Sequence, residues 1–228
     1  MKAYQFNEKT DYIFYLAEII SDTYKYKTRL KRYLLEIEQM LNENQSAETV
    51  ETILYEAISD KTKAVLYYLF NLLGDESNCA ISFRRFRKLL IKNSKNLNIE
   101  LKQLTNDEAK ASNHFNTHRN WGLHIPESLL TNKRQILKIN KVFIEENYSQ
   151  KITVPHFEYF EIKYLIKLKE EVKDVIENIE ILERRMYLDY SILVENEFSF
   201  ELDTIQVKPY LLMDIVKGSM KTQQGKRN

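Results

Sequence analysis

From Pro155 to Val194 the apolar residues Phe157, Phe160, Tyr164, Leu168, Val172, Val175, Ile179, Leu182, Met186 and Leu193 recur at steps of three, four and seven. That period sets them on one side of an α-helix; a strand would alternate every second residue. About 40 residues at 1.5 Å each make a rod of about 60 Å, which outruns a compact domain and predicts a kink, a break or a projecting end. A chain that commits so much of its length to one amphipathic helix has to bury the stripe against other helices.

The N-terminal part carries a bundle-type seam of its own. Ile13, Leu16, Ile20, Thr23, Lys27, Leu30, Leu34, Ile37 and Leu41 alternate by three and four, predicting a helix from about Asp11 to Asn42 with Thr10 as its N-cap. Two polar residues, Thr23 and Lys27, interrupt this seam in its middle. Asn42 to Ser46 reads as a connection, with Ser46 capping a second helix that carries Val50, Ile53, Leu54, Ala57, Ile58, Val65, Tyr68, Leu69 and Leu72 inward and stops at Gly74. A short third helix follows Ser82, with Phe83, Phe86, Leu89 and Leu90 inward and Arg84, Arg85, Arg87 and Lys88 outward. Thr105-Asn-Asp-Glu108 has the form of a capping box and predicts a fourth helix. Pro126 forces a break, because the residue before a proline avoids helical geometry; a less regular helix is expected from Glu127 to about Asn147. Beyond Val194 a short helix at Pro209–Lys217 precedes a basic tail. The expectation is an all-α helical bundle of about five to seven helices over residues 1–194, ending in one long helix, with residues 195–228 as an appendage.

Composition agrees. With only 4 Gly and 3 Pro in 228 residues there is little turn chemistry for a sheet-rich fold. The lone Cys79 excludes an intrachain disulfide and a cysteine-rich zinc module. The first ten residues hold no apolar run of signal-peptide type, and the apolar stretch Ala64–Leu73 is far short of the roughly 20 residues that span a bilayer. Cytoplasmic placement without membrane contact is therefore expected. Net charge is +1, yet Arg84 to Lys102 carries seven basic residues against a single acid, Glu100. Such a run forms either a solvated helix face or a phosphate-facing patch, for which Arg84, Arg85, Arg87 and Lys88 are the candidate RNA contacts.

Chemistry concentrates in one segment. His114, His118 and His124 lie within eleven residues, beside Arg119, Asn120 and the only tryptophan, Trp121. His124, near its ordinary pKa, can take or deliver a proton at neutral pH. Arg119 offers a planar fork of donors for phosphoryl oxygens, and Asn120 can orient either group. Five positions on a regular helix leave Arg119 and His124 about 140° apart in azimuth, so their convergence needs the helix to end near Gly122.

Arg119-Asn120-x-x-x-His124 resembles the motif of the HEPN superfamily, helical-bundle nucleases and nucleotide-binding proteins of toxin–antitoxin and phage-defence systems, over these six residues. The resemblance implies a metal-independent endoribonuclease with Arg119, Asn120 and His124 catalytic, no cofactor, and a homodimer that brings two Arg/His pairs into one cleft, with a protein partner such as an antitoxin. Two other readings of the residues stand beside it. His114 and His118, one helical turn apart, could ligate a metal together with His124. The chain could also be a non-catalytic helical interaction protein that binds a partner through its long helices. There is no Gly-rich phosphate loop, nucleophile elbow or paired-acid motif.

Overall fold

The protein is described by a computed structural model over residues 6–77, 82–122 and 156–202. Five helices and one pair of very short strands make up the regular structure of these residues: α1 (Lys9–Glu43), β1 (Thr49–Glu51), α2 (Thr52–Gly74), α3 (Phe83–Asn93), α4 (Asn106–Gly122), β2 (Tyr159–Glu161) and α5 (Ile162–Val194). They belong to a unit that ends at Phe198; Ser199–Asn228 form another. The expected helices at Glu127–Asn147 and Pro209–Lys217, the Pro126 break and His124 lie outside the described residues.

The two periodic segments pack on each other. At 35 and 33 residues, α1 and α5 are each about 50 Å long. Lys9 pairs with Glu195, Lys31 with Glu180 and Lys173 with Glu38, so the two helices run antiparallel. Leu16, Ile20, Leu30 and Ile37 of α1 are buried with Leu168, Val172, Val175, Ile179, Leu182 and Met186 of α5 in one continuous core. The polar interruption in the α1 seam has a partner: Lys27 forms an ion pair with Glu183 of α5, both side chains largely shielded from water. Thr23 is fully buried beside it, and its hydroxyl has no hydrogen-bond partner.

Several helix starts differ from expectation. α1 begins two residues before the expected Asp11, with Glu8 rather than Thr10 as N-cap; Asp11 Oδ2 accepts from the Glu8 N–H at 3.0 Å and from the Asn7 N–H at 2.9 Å. Ser46 does not cap α2, and α5 does not begin at Pro155. Instead Thr49–Glu51 and Tyr159–Glu161 pair antiparallel, Val50 opposite Phe160. Both following helices lack a side-chain cap. Their first N–H groups are satisfied across the pair: Thr52 donates to the Glu158 carbonyl at 3.0 Å and Ile162 to the Glu48 carbonyl at 2.9 Å. The strands thus replace two caps, which explains why neither helix start carries a capping residue. One consequence is that Ile53 and Leu54, expected inside, are 72% and 49% exposed, while Phe157 and Tyr159 also face water.

The expected Thr105/Glu108 capping box is present, and Ser82 caps α3 as well. Ser82 Oγ accepts from the Arg85 N–H at the start of α3, and Thr105 exchanges hydrogen bonds with Glu108 at the start of α4. A second correction concerns Arg87. Rather than facing out with its neighbours it is 5% exposed, and its Nε donates to Asp189 of α5 at 2.8 Å. Arg185, one turn before Asp189, makes a bidentate pair with Glu108 at 2.9 and 3.0 Å. The four charges tie α3, α4 and α5 together inside the core, where each is tolerable only because another compensates it.

Candidate functional site

The site is built where the end of α2 crosses α4. Ala111 and Phe115 turn the buried face of α4 inward. A Cβ on Gly74 would lie 2.5 Å from the backbone of Phe115, so only glycine allows the two helices to touch here. Asn116 uses that closeness: its Nδ2 donates to the Gly74 carbonyl at 2.8 Å, satisfying one of the orphan acceptors at the end of α2.

One turn on, Arg119 reaches across to the residue after Gly74. Its Nη2 lies 3.2 Å from Asp75 Oδ2, and its Nη1 donates to Asn120 Oδ1 at 3.2 Å. Asn120 in turn donates to Asn116 Oδ1 at 3.3 Å. The Arg119 Nε is shielded from water and has no hydrogen-bond partner, so Asp75 satisfies only part of the guanidinium. Asp75 is itself held in place: Oδ1 accepts from the Ser77 N–H at 2.8 Å and its carbonyl accepts from the Ser82 hydroxyl. Arg119 and Asn120 are therefore neighbours that hydrogen-bond to each other on the last turns of α4. His124 lies two residues past the end of that helix, outside the described residues.

His114 and His118 belong to a different face. Their rings are 4.2 Å apart; His118 stacks on Phe70 at 5.1 Å, and His114 Nδ1 is 3.5 Å from Asp174 Oδ2 on α5. Burial, and then the neighbouring His118, push the His114 pKa below its ordinary value, against the opposing pull of Asp174. The structure thus brings this pair together, as the one-turn spacing predicts, but against α2 and α5 rather than beside Arg119. Among the described residues no group of three or more His, Cys, Asp or Glu side chains is arranged to hold a metal ion.

The basic helix stands next to the same loop. Arg84 forms an ion pair with Glu76, and its Nη1 donates to Asn113 Oδ1 at 2.7 Å on α4. Lys88 lies 3.0 Å from the other oxygen of Glu76. Hydrogen bonding to Lys88, together with Arg84, holds the Glu76 carboxyl below the usual range despite some desolvation. Arg85 donates to the Ser77 carbonyl. Of the expected phosphate contacts, Arg84, Arg85 and Lys88 surround the loop, and Arg87 is withdrawn into the core. Between α3 and α4 a cleft of about 250 Å³ opens, lined by Phe83, Arg84, Lys88, Ile91, Leu104 and Ser112.

Sequence reasoning missed Asp75 and Glu76. Two consecutive acids immediately after a helix-ending glycine, and shortly before a basic helix, were the available signal. No family model, no curated protein and no solved structure matches the chain.

Proposed function

We propose that the chain is a metal-independent endoribonuclease of HEPN type, acting in the cytoplasm as a toxin or phage-defence effector. The observation that carries this reading is the placement of Arg119 and Asn120, hydrogen-bonded to each other on the last turns of α4 in an all-helical bundle. In the reaction the 2′-hydroxyl attacks the adjacent phosphorus, forming the O2′–P bond and breaking the P–O5′ bond. The proton leaves the 2′-oxygen for a base and is returned to the departing 5′-oxygen. The products are a 2′,3′-cyclic phosphate and a 5′-hydroxyl. His124 carries the proton, Arg119 stabilises the charge that builds on the phosphoryl oxygens, and Asn120 holds the Arg119 guanidinium in orientation. One imidazole cannot stand at both the attacking and leaving oxygens, so a homodimer with two Arg119/His124 pairs in one cleft completes the site. No helix among the described residues is long and apolar enough to cross a membrane.

The test is cleavage of single-stranded RNA in EDTA by the full chain. Arg119→Ala and His124→Ala each lower the rate by about 10²–10⁴-fold while the helical circular dichroism is retained. Equal cleavage by wild type and variants, or its loss in chelator, overturns the proposal.

A second reading is favoured by a separate observation. Ile53, Leu54, Phe157 and Tyr159 are exposed around the strand pair, a set of large apolar side chains that a non-catalytic interaction protein would offer to a protein partner such as an antitoxin. Replacing Ile53 and Tyr159 by Ser abolishes such an association while the helical circular dichroism is retained, and this reading expects no RNA cleavage by wild type or variant.

A further inference from the structure

Three consecutive residues, Asp75, Glu76 and Ser77, take hold of four cations beside the end of α2. Asp75 binds Arg119 at 3.2 Å, Glu76 binds Arg84 and, at 3.0 Å, Lys88, and the Ser77 carbonyl accepts from Arg85. These cations come from two different helices, α3 and α4, and converge on one short stretch of chain. From this convergence we infer that Asp75–Ser77 is an acidic guard over an RNA-phosphate surface, in which the exposed Glu76 carboxylate stands where a phosphate of a bound strand sits and the buried Asp75 anchors the stretch to Arg119. The inference rests on the nuclease reading for the identity of the anion.

Three features argue for a replaceable guard rather than a purely structural tie. First, the grip on Arg119 is incomplete: one nitrogen meets Asp75, while Nε is buried with no partner, so the stretch does not saturate the cation it is anchored to. Second, Glu76 is not buried. Its side chain is 35% exposed, and Arg84 and Lys88 are 22% and 63% exposed, so rotation of one glutamate side chain uncovers both cations without disturbing the core. An ion pair exposed to that degree holds its partners weakly and is open to exchange. Third, Arg84 has a second anchor, donating to Asn113 Oδ1 at 2.7 Å, so its position does not depend on Glu76 alone. Arg87, by contrast, is committed to Asp189 and only contributes to the wall of the neighbouring cleft. An apolar cleft bordered by Phe83, Ile91 and Leu104 opens beside Arg84 and Lys88, where an unstacked base attached to those phosphates finds a low-dielectric wall.

The guard makes binding an exchange of one anion for another. Removing its charge must therefore raise affinity, because RNA no longer competes with an internal anion, while leaving the salt dependence nearly unchanged, because the same phosphates end on the same cations. For a single strand each phosphate contact contributes about 0.7 to the log–log dependence on salt, so Arg84 and Lys88 contribute about 1.4 in wild type and variant alike.

The experiment measures fluorescence anisotropy of a labelled single-stranded RNA with the full-length chain between low and physiological salt. It compares wild type with Glu76→Gln, Asp75→Asn and Glu177→Gln, the last removing an exposed acid of α5. Glu76→Gln is expected to bind at least about threefold tighter across the salt range with the slope changed by less than about 0.7, and Asp75→Asn, whose carboxylate is buried, to gain less. Glu177→Gln leaves the affinity unchanged. An unaltered affinity in Glu76→Gln with intact circular dichroism overturns the inference, as does equal tightening by Glu177→Gln or tightening toward poly-glutamate but not RNA. Cleavage in EDTA, followed in the same samples, separates the two proposals. Tighter binding without cleavage removes the nuclease reading and keeps the guard; cleavage with unchanged affinity does the reverse.

Discussion

Gly74 and Phe115 meet backbone to backbone: a Cβ on the glycine would stand 2.5 Å from the Phe115 carbonyl carbon. This contact sets the spacing of α2 and α4, and with it the reach of Asn116 to the Gly74 carbonyl and of Arg119 to Asp75. Gly74→Ala gains about 1 kcal/mol of helix propensity. It loses more, because the methyl group collides with main chain that cannot rotate away, and overpacking of this kind costs about 3 kcal/mol. The net expectation is a loss of about 2 kcal/mol, seen as a melting temperature lower by about 4–8 °C. An unchanged melting temperature would mean that the helices separate freely at this point.

The buried ionic group predicts a contrast between two kinds of ion pair. Asp189→Ala leaves the guanidinium of Arg87 uncompensated in the core and is expected to cost about 3–5 kcal/mol. Lys31→Ala breaks a pair with Glu180 in which both side chains are about half exposed, and is expected to cost less than about 1 kcal/mol. Urea unfolding midpoints of the two variants measure the difference directly. Similar midpoints would show that water reaches Asp189 in the folded protein.

His114 gives the fold a pH dependence of definite sign. Burial and the adjacent His118 depress its pKa, so the unfolded chain takes up a proton before the folded one does. Stability is then fully present above the ordinary histidine value of about 6.5 and declines as pH falls below it, until the folded-state pKa is passed. Asp174, facing His114 from α5, limits the size of the effect. Glu108, Glu76 and Glu180 have lowered pKa values and withdraw their contributions only below about 4.5. Between about pH 7 and pH 5 the unfolding free energy should therefore fall less steeply in His114→Gln than in wild type. Parallel profiles would place His114 in contact with solvent.

The proposed dimer is checked by mass. Sedimentation or light scattering at micromolar concentration should report twice the 27.3 kDa of the chain. Arg119→Ala mixed with His124→Ala should regain part of the lost RNA cleavage if each protomer contributes to a shared cleft. A monomer throughout that range leaves a single Arg/His pair and favours the interaction-protein reading.

The helical class, the apolar seams of α1 and α5, the helix after Ser82 and the Thr105/Glu108 capping box were all legible in the sequence. Each depends on residues within a turn or two of one another, and helical periodicity and cap chemistry are local. Arg119 and Asn120 could be placed at the end of α4 for the same reason. Their surroundings could not. Arg119 meets an acid 44 residues away, and Arg87 leaves its outward-looking run to meet Asp189 at a separation of 102 residues. The strand pair joins segments more than a hundred residues apart, each too short to show a period of its own. Periodicity says which side of a helix is apolar, but not which charge on a neighbouring helix waits opposite a given arginine. That depends on how α2, α3, α4 and α5 cross, so only the packed structure decided which cations are buried, which are guarded and which are free.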